Sequence, residues 1–302
     1  MINPTEILFE TLSRGKPWLV LSGAGISIAS GIPSYRDDEG RWLAGKPIKH
    51  DEFLKDSEKR QRYWSRSFFG WPRIKEAVPN KTHLALASLE KAGVLTGIVT
   101  QNVDRLHQQA GSKLVVDLHG RLDRVRCIDC GELSRRSKIQ SWLQVNNTIP
   151  ERDTELEIRP DGDAELSIET IRRFQTPFCE KCSGILMPDV IFFGGTIPSP
   201  RVRYCEELIE DSAGILVIGS SLAVYSGFRL CKYGARRGKD LVILNRGPTR
   251  ADSLCTEKFK SNPFKSPRRT SPSVKTPAKY EFFDVTRQIC ILEIDKLFSL
   301  FG

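Results

Sequence analysis

Apolar and polar residues alternate along the chain with two different periods. Between Asn3 and Arg14 the apolar residues Ile7, Leu8 and Leu12 recur at helical spacing, which predicts a helix. Trp18-Leu19-Val20-Leu21 is a short continuous apolar run that soon meets glycine. It reads as a buried strand feeding a tight turn. Similar runs occupy Gly97-Ile98-Val99-Thr100, Leu114 to Leu118, Gly214 to Gly219 and Leu241 to Asn245. Helical patterns lie between several of them, as over Thr82 to Lys91 and Arg201 to Asp211.

Apolar strands alternating with helices predict an α/β fold built on a parallel, doubly wound, Rossmann-like sheet. Two stretches interrupt it. The region from about 124 to 187 is polar, carries paired cysteines and is rich in turn residues, so it reads as a smaller inserted module. Residues of about 41 to 79, aromatic and charged, read as a helical insertion. The sheet is then assigned to about 1–40, 80–123 and 188–258. From 259 to 302 the chain changes character: Lys265-Ser266-Pro267-Arg268-Arg269 is typical of a disordered linker. A short apolar segment, Ile289 to Phe301, follows.

The 302 residues are 39% hydrophobic, enough for one large domain or two unequal ones. The formal net charge of +9 is weak evidence for an anionic partner, because the Lys/Arg-rich tail supplies part of it. No apolar run approaches the roughly 20 residues of a membrane span, so no membrane partner is expected. The N-terminal stretch lacks a signal-peptide pattern and carries Glu6 and Glu10, unlike an acid-poor transit peptide. A soluble intracellular protein, or a mature form already trimmed, is therefore expected.

Of the eight cysteines, Cys127 and Cys130 form one Cys-x-x-Cys pair and Cys179 and Cys182 another. Two-residue spacing lets two thiolates grip one tetrahedral ion, and two such pairs complete a closed site. These four cysteines are expected to hold one structural Zn2+, with no position open for catalysis. The alternative is two unrelated redox or core pairs. Cys205, Cys231, Cys255 and Cys290 read as ordinary core or surface residues.

Candidate chemistry collects where strands end. Gly23-Ala24-Gly25-Ile26-Ser27 follows the first strand, and glycines there permit close backbone approach to a pyrophosphate at a helix N-terminus. The alternative is an ordinary strand–helix turn. Gly219-Ser220-Ser221 and Asn245-Arg246-Gly247 follow two later strands, and three such turns suit a dinucleotide better than a mononucleotide. Thr100-Gln101-Asn102-Val103-Asp104 places amides and a carboxylate where they suit ribose hydroxyls and a carboxamide. Asn102 or Asp104 could equally cap a helix. His119, just past another strand and followed by Gly120, is the candidate general base. Taken alone, it could also be a satisfied structural histidine.

Together these motifs, with Gly31-Ile32-Pro33-Ser34-Tyr35-Arg36 and Phe193-Gly194, resemble the sirtuin family, in this order and from about Pro4 to Lys258. Arg60-Gln61-Arg62-Tyr63-Trp64, Gly70-Trp71-Pro72 and Gly247-Pro248-Thr249-Arg250-Ala251-Asp252 look like its class II branch, which includes the mitochondrial sirtuin 4 type. The resemblance implies an NAD-dependent protein lysine deacylase whose products are free lysine, nicotinamide and O-acyl-ADP-ribose. It implies NAD contacts from Gly23, Ala24, Gly25, Ser27, Ile28, Pro33, Tyr35 and Arg36. It extends them to Gln101, Asn102, Val103, Asp104, Gly219, Ser220, Ser221, Asn245, Arg246 and Gly247. Tyr35 and Arg36 would lie on a mobile loop closing over NAD. Asp104 would hold the carboxamide, Gln101 and Asn102 the ribose, and Asn102 could also orient a water. His119 would take a proton from a ribose hydroxyl. Acyl-lysine of a protein substrate would enter between Ile191-Phe192-Phe193-Gly194 and the segment carrying Leu222 and Val224. No Tyr/Arg pair that would hold an acidic acyl chain stands out.

Two positions and the C-terminal tail depart from the family pattern. Ser34 stands where Asp is usual, and Gly195 where Glu is common. After Lys258 the Pro/Ser/Lys/Arg tail replaces the usual helices, which predicts a looser adenine pocket. Two rival readings stay open: a protein mono-ADP-ribosyltransferase using the same NAD site, and a non-catalytic zinc-containing binding module. A monomer without a nucleic-acid partner is expected, cytoplasmic in a bacterium or in the mitochondrial matrix of a eukaryote.

Overall fold

The computed structural model describes residues 4–13, 15–34, 47–148, 168–259 and 292–297. Tyr35, Arg36, the linker-like residues 260–279 and most of the Ile289–Phe301 segment lie outside them.

Six strands form one sheet: β1 (Trp18–Ser22), β2 (Leu95–Thr100), β3 (Val115–Asp117), β7 (Gly214–Ile218), β8 (Asp240–Leu244) and β9 (Glu257–Phe259). Their spatial order is β3-β2-β1-β7-β8-β9, and every pairing is parallel. Counted along the chain within this sheet, that is the 3-2-1-4-5-6 order of a dinucleotide-type fold, with the reversal between β1 and β7. The five apolar runs lie on five of these strands. β9 is a three-residue edge strand with two charged residues, so no apolar run announces it.

The sheet is covered on both faces, and the strand pleat sorts its side chains. Val20, Ile98, Leu216 and Val242 enter one core with Leu8 and Leu12 of α1 (Pro4–Leu12) and Leu86 and Leu89 of α4 (Lys81–Lys91). Ile294 and Leu297, from helical residues 292–297, are fully buried in that same core. Leu19, Leu21, Val99, Val217 and Ile243 point the other way. They meet Cys205, Leu208 and Ile209 of α8 (Ser199–Asp211) and Leu230 and Cys231 of α9 (Tyr225–Arg236). Each such apolar side chain contributes roughly 1.5–3 kcal/mol on burial. Cys205 and Cys231 act as small apolar residues, and burial pushes their thiols up to about 11 and about 12.

A second, antiparallel sheet carries the cysteine pairs: β4 (Gly120–Cys127), β5 (Leu133–Arg135) and β6 (Leu186–Val190), in the order β5-β4-β6. Beside it lie α6 (Arg136–Asn146) and α7 (Ile168–Arg173). The helices α2 (His50–Lys55) and α3 (Ser57–Glu76) fall in the other inserted stretch. Both stretches share one core: Phe53, Tyr63 and Trp64 pack with Val125, Ile139, Leu143, Phe174 and Met187.

One local expectation is corrected. The helix expected behind the Gly23 turn is a 3-10 turn, Ala24–Ser30, ended by Gly31 at φ +82°. Helix α9 was not legible, because Gly227 and Gly234 inside it weaken helical propensity. No described helix is long and apolar enough to cross a membrane.

Candidate active site

The turns after β1 and β7 meet at the reversal of strand order. Gly25 N–H donates to Gly219 O at 2.9 Å, and Gly23 N–H to Ile218 O at 3.1 Å. Gly219 has φ +60°, a conformation that glycine adopts without strain. Ser27, buried at the foot of the first turn, donates to Asp104 Oδ2 at 2.7 Å.

The turn after β2 supplies the amides. Gln101 Nε2 donates to Ser220 Oγ at 2.8 Å and to Ser22 O at 3.2 Å, tying three strand ends together. Asn102 Nδ2 donates to Gly23 O and to Ser27 Oγ, both at 3.1 Å. Asp104 Oδ1 accepts from Leu106 N at 2.9 Å, ahead of the short helix α5 (Leu106–Gln109). The carboxylate therefore caps that helix as well as facing Ser27. Burial raises its pKa above the ordinary value, against the pull of these two bonds.

His119 lies at the end of β3. Its Nδ1 is 3.0 Å from Gln101 O, and its Nε2 is 2.7 Å from Ser226 Oγ on α9. Burial holds its pKa below the ordinary 6.5, so the ring is neutral at pH 7. The His119 carbonyl accepts from Ile191 N at 2.7 Å, linking the histidine to the expected substrate segment. Gly120 allows this approach: at φ +84°, a β-carbon there would fall 2.1 Å from Asp189 O.

The expected tunnel walls are placed as follows. Phe192 is buried, its ring 4.9 Å from Phe53 and 5.3 Å from Tyr63. Phe193 O accepts from His50 N at 2.9 Å, and Gly194 turns the chain at φ +80°. Gly195 N–H closes that turn on Phe192 O at 2.9 Å. Leu222 is buried at φ +54°, and Val224 is exposed just before α9. Arg66 is also buried, one helical turn beyond Tyr63 on α3.

Other expected cofactor contacts are more dispersed. Ala24 is half-buried in the turn, Pro33 is exposed, and Ile28 is 47% exposed while its neighbour Ile26 enters the core. Val103 packs with Trp71, Ile74 and Leu122. Ser221 O accepts from Arg250 N at 2.9 Å. Asn245 Nδ2 donates to Gly247 O at 3.1 Å, and Arg246 is exposed beside it. No described hydrogen bond joins this last turn to the Gly23 turn. A cleft of about 630 Å³ opens at Asp104, walled by α3, the segment from Val103 to Gln109 and the smaller sheet. Lys75, Arg105, Arg121, Arg124 and Arg135 outnumber Asp104 and Asp123 on its walls.

The four expected metal ligands converge. Cys127 Sγ and Cys182 Sγ are 3.5 Å apart, Cys130 Sγ and Cys179 Sγ 3.7 Å, and all four sulfurs lie within 4.8 Å of one another. Tetrahedral zinc with Zn–S of about 2.3 Å requires sulfurs about 3.8 Å apart, so the cluster fits one ion. The Cys130 N–H directed at Cys127 lowers that thiol to about 7, while contacts with the neighbouring thiols raise Cys182 to about 12 against the pull of the Gly184 N–H. Asp129 Oδ2 accepts from Ile185 N at 2.8 Å and braces one knuckle against the other.

The residues missed by the sequence reading are those that complete this geometry from a distance. Ser226 is 107 positions from His119, and Ser22 reaches both Thr100 Oγ1 and His107 Nε2, at 2.9 and 2.8 Å. Neither serine belongs to a motif with a spacing that signals its partner.

The Sir2 family model matches residues 23–226. A relative from Xanthomonas campestris pv. campestris, named an NAD-dependent protein deacetylase, is 47% identical over 255 residues, covering 84% of this chain and 87% of its own. The human mitochondrial NAD-dependent protein lipoamidase sirtuin-4 is 45% identical over 257 residues, with 84% and 81% covered. A solved Sir2–p53 peptide–NAD+ complex superimposes with a TM-score of 0.67 at 30% identity, over 85% of this chain and 92% of that one. With its strand order, thiolate cluster and polar switch-point turns thus matched along most of its length, the chain belongs to the Sir2, or sirtuin, family.

Proposed function

We propose that the protein is an NAD-dependent protein lysine deacylase. The observation that carries this reading is the histidine at the strand ends. His119 is a half-buried, neutral imidazole, oriented by the contact of its Nδ1 with Gln101 O in the Gln101–Asp104 turn. A binding module has no need of such a base, whereas a group that must accept one proton near pH 7 does. Relatives named as deacetylase and as lipoamidase support acyl transfer as the reaction class.

The donor set fits NAD. Backbone N–H groups of the Gly23–Gly25 and Gly219–Ser221 turns suit a pyrophosphate at the switch point. Gln101 and Asn102 are the ribose contacts in this reading, and Asp104 is the acceptor for the carboxamide. NAD, when bound, supplies an electrophilic ribose carbon and a nicotinamide leaving group. His119 Nε2 receives the proton released as the acyl group is transferred. Phe192 and Leu222, both buried, form apolar walls for the acyl-lysine stem and keep water from it. The zinc cluster, closed by four thiolates, holds the smaller sheet in place.

Incubating the purified chain with NAD and a panel of acyl-lysine peptides, read by mass spectrometry, tests this. Deacylated peptide with O-acyl-ADP-ribose, lost in His119→Ala, is the expected result. ADP-ribosylated protein without deacylated peptide would replace the reading with the transferase, and the panel ranks the acyl groups.

A further inference from the structure

The two nitrogens of His119 face different kinds of partner. Gln101 O can only accept, so Nδ1 carries the proton and Nε2 carries the lone pair. Ser226 therefore donates its hydroxyl proton to Nε2, at 2.7 Å, and it is the sole hydrogen-bond partner of that nitrogen among the described residues. The lone pair that the proposed reaction requires is thus held by a serine.

Helix α9 brings the serine there. Ser226 is its second residue, and Gly227 follows it. A β-carbon on Gly227 would fall 2.5 Å from Gln101 Oε1. The Gln101 amide has little room to give way, because Ser220 and Ser22 both hold it. The missing side chain at 227 is what allows the first turn of α9 to press against Gln101 and carry Ser226 to the imidazole.

We propose that Ser226 is the positioning residue of His119, the one hydroxyl that pairs with Nε2 in both protonation states. The proposal rests on the reading of His119 as the base. A serine hydroxyl both donates and accepts. With the ring neutral, Ser226 O–H donates to the lone pair. As the ribose hydroxyl breaks its O–H bond and gives that proton to Nε2, the Ser226 proton rotates away, and the new Nε2–H⁺ is shared between the ribose oxygen and Ser226 Oγ, while Nδ1 keeps its bond to Gln101 O. A hydrogen bond from a charged donor is stronger than its neutral counterpart, so Ser226 favours the imidazolium over the imidazole. It thereby offsets burial, which disfavours the charged ring, and the nearby Arg201 guanidinium, which acts in the same sense. Without the hydroxyl, Nε2–H⁺ would have no protein partner among the described residues.

The test compares the zinc-loaded full chain with Ser226→Ala and Ser226→Thr, using 15N NMR of the histidine rings across pH and single-turnover acyl transfer from an acetyl-lysine peptide with NAD. In Ser226→Ala the His119 Nε2 resonance is expected to move and its titration midpoint to fall further. Transfer is expected to slow on the order of 10- to 100-fold, with KM for NAD and peptide changed less than about twofold. Ser226→Thr, which keeps the hydroxyl, restores both. Unmoved ring resonances in Ser226→Ala would overturn the proposal, and so would moved resonances with an unchanged transfer rate. A wild-type chain without NAD-dependent turnover would instead sink the deacylase reading, and the ring resonances would then decide the Ser226–His119 contact alone.

Discussion

The side-chain amide of Gln140 donates to the carbonyl of Phe68 at 2.9 Å. Pro72, inside α3, has no N–H to offer that carbonyl, so the helix exposes an acceptor that α6 occupies. Arg136, one turn earlier on α6, reaches Ser67 O at 3.0 Å and lies 5.4 Å from the ring centroids of Trp64 and Trp71. The smaller sheet is thus fastened to the helical insertion by partners of a broken helical ladder. Gln140→Leu takes this donor from the half-buried Phe68 carbonyl and the Oε1 acceptor from buried Arg136, and should cost about 1–3 kcal/mol. In a Pro72→Ala background the restored N–H can take that carbonyl, so the same substitution should cost less. Equal costs in both backgrounds, from urea unfolding midpoints, would refute the coupling.

Zinc removal should loosen more than the knuckles. Cys127 and Cys179 are members of the same buried cluster as Phe53, Trp64 and Phe192. A chelator strong enough to strip the ion should therefore release one zinc per chain and weaken the near-ultraviolet circular dichroism of this aromatic cluster. The six-stranded sheet has its own two cores and should keep its far-ultraviolet signal. Aromatic ellipticity unchanged after the metal is gone would mean that thiol packing alone holds the module.

His83 and His107 make the fold sensitive to mild acid. Their rings lie 4.9 Å apart and buried, and His83 Nε2 and His107 Nδ1 have no hydrogen-bond partner among the described residues. Burial lowers His83 to about 4 and holds His107 well below 6.5. The unfolded chain takes up protons near 6.5, where the folded chain does not. Stability is therefore complete above that pH and falls as the pH drops from about 6.5 toward 4, by up to about 1.4 kcal/mol per pH unit for each ring. Urea unfolding at pH 7.5, 6 and 5 measures the slope, and His83→Gln should flatten it. A slope as steep in that variant would assign the acid sensitivity elsewhere.

How far the sequence could be read differs between its parts. Buried parallel strands are continuous apolar runs, so Leu19–Leu21 and Leu241–Leu244 declare themselves without any partner. The Cys-x-x-Cys pairs are legible for a similar reason: the spacing alone sets the bite of the ligands. The contacts that give His119 its state are different in kind. Ser226, Gln101 and Ser22 come together only through the strand order, and a serine carries no periodic signal. Edge strand β9 and helix α9 escaped for want of pattern: one is short and charged, the other is interrupted by Gly227 and Gly234. Residues 292–297 place Ile294 and Leu297 in the main core, a role that the composition of the tail did not suggest.

The switch point itself can be tested with glycines of two kinds. A β-carbon on Gly25 would lie 2.8 Å from Gly219 O and 3.0 Å from Gly219 Cα, both backbone atoms that cannot rotate away. Gly25→Ala should therefore force the turns after β1 and β7 apart, at a cost of about 1–3 kcal/mol in stability. Because those turns are the proposed pyrophosphate cradle, NAD affinity should fall with it. Gly238, at φ +68° with open space around it, sits between α9 and the start of β8, at the opposite end of the strands from the switch-point turns. Gly238→Ala should cost about 1–2 kcal/mol through left-handed backbone strain alone and leave NAD affinity intact. Calorimetric titration of both variants with NAD at matched fractions folded separates the two effects. Parallel losses of affinity would mean that stability, not the Gly25–Gly219 contact, governs binding; a loss confined to Gly25→Ala would place the dinucleotide over that contact.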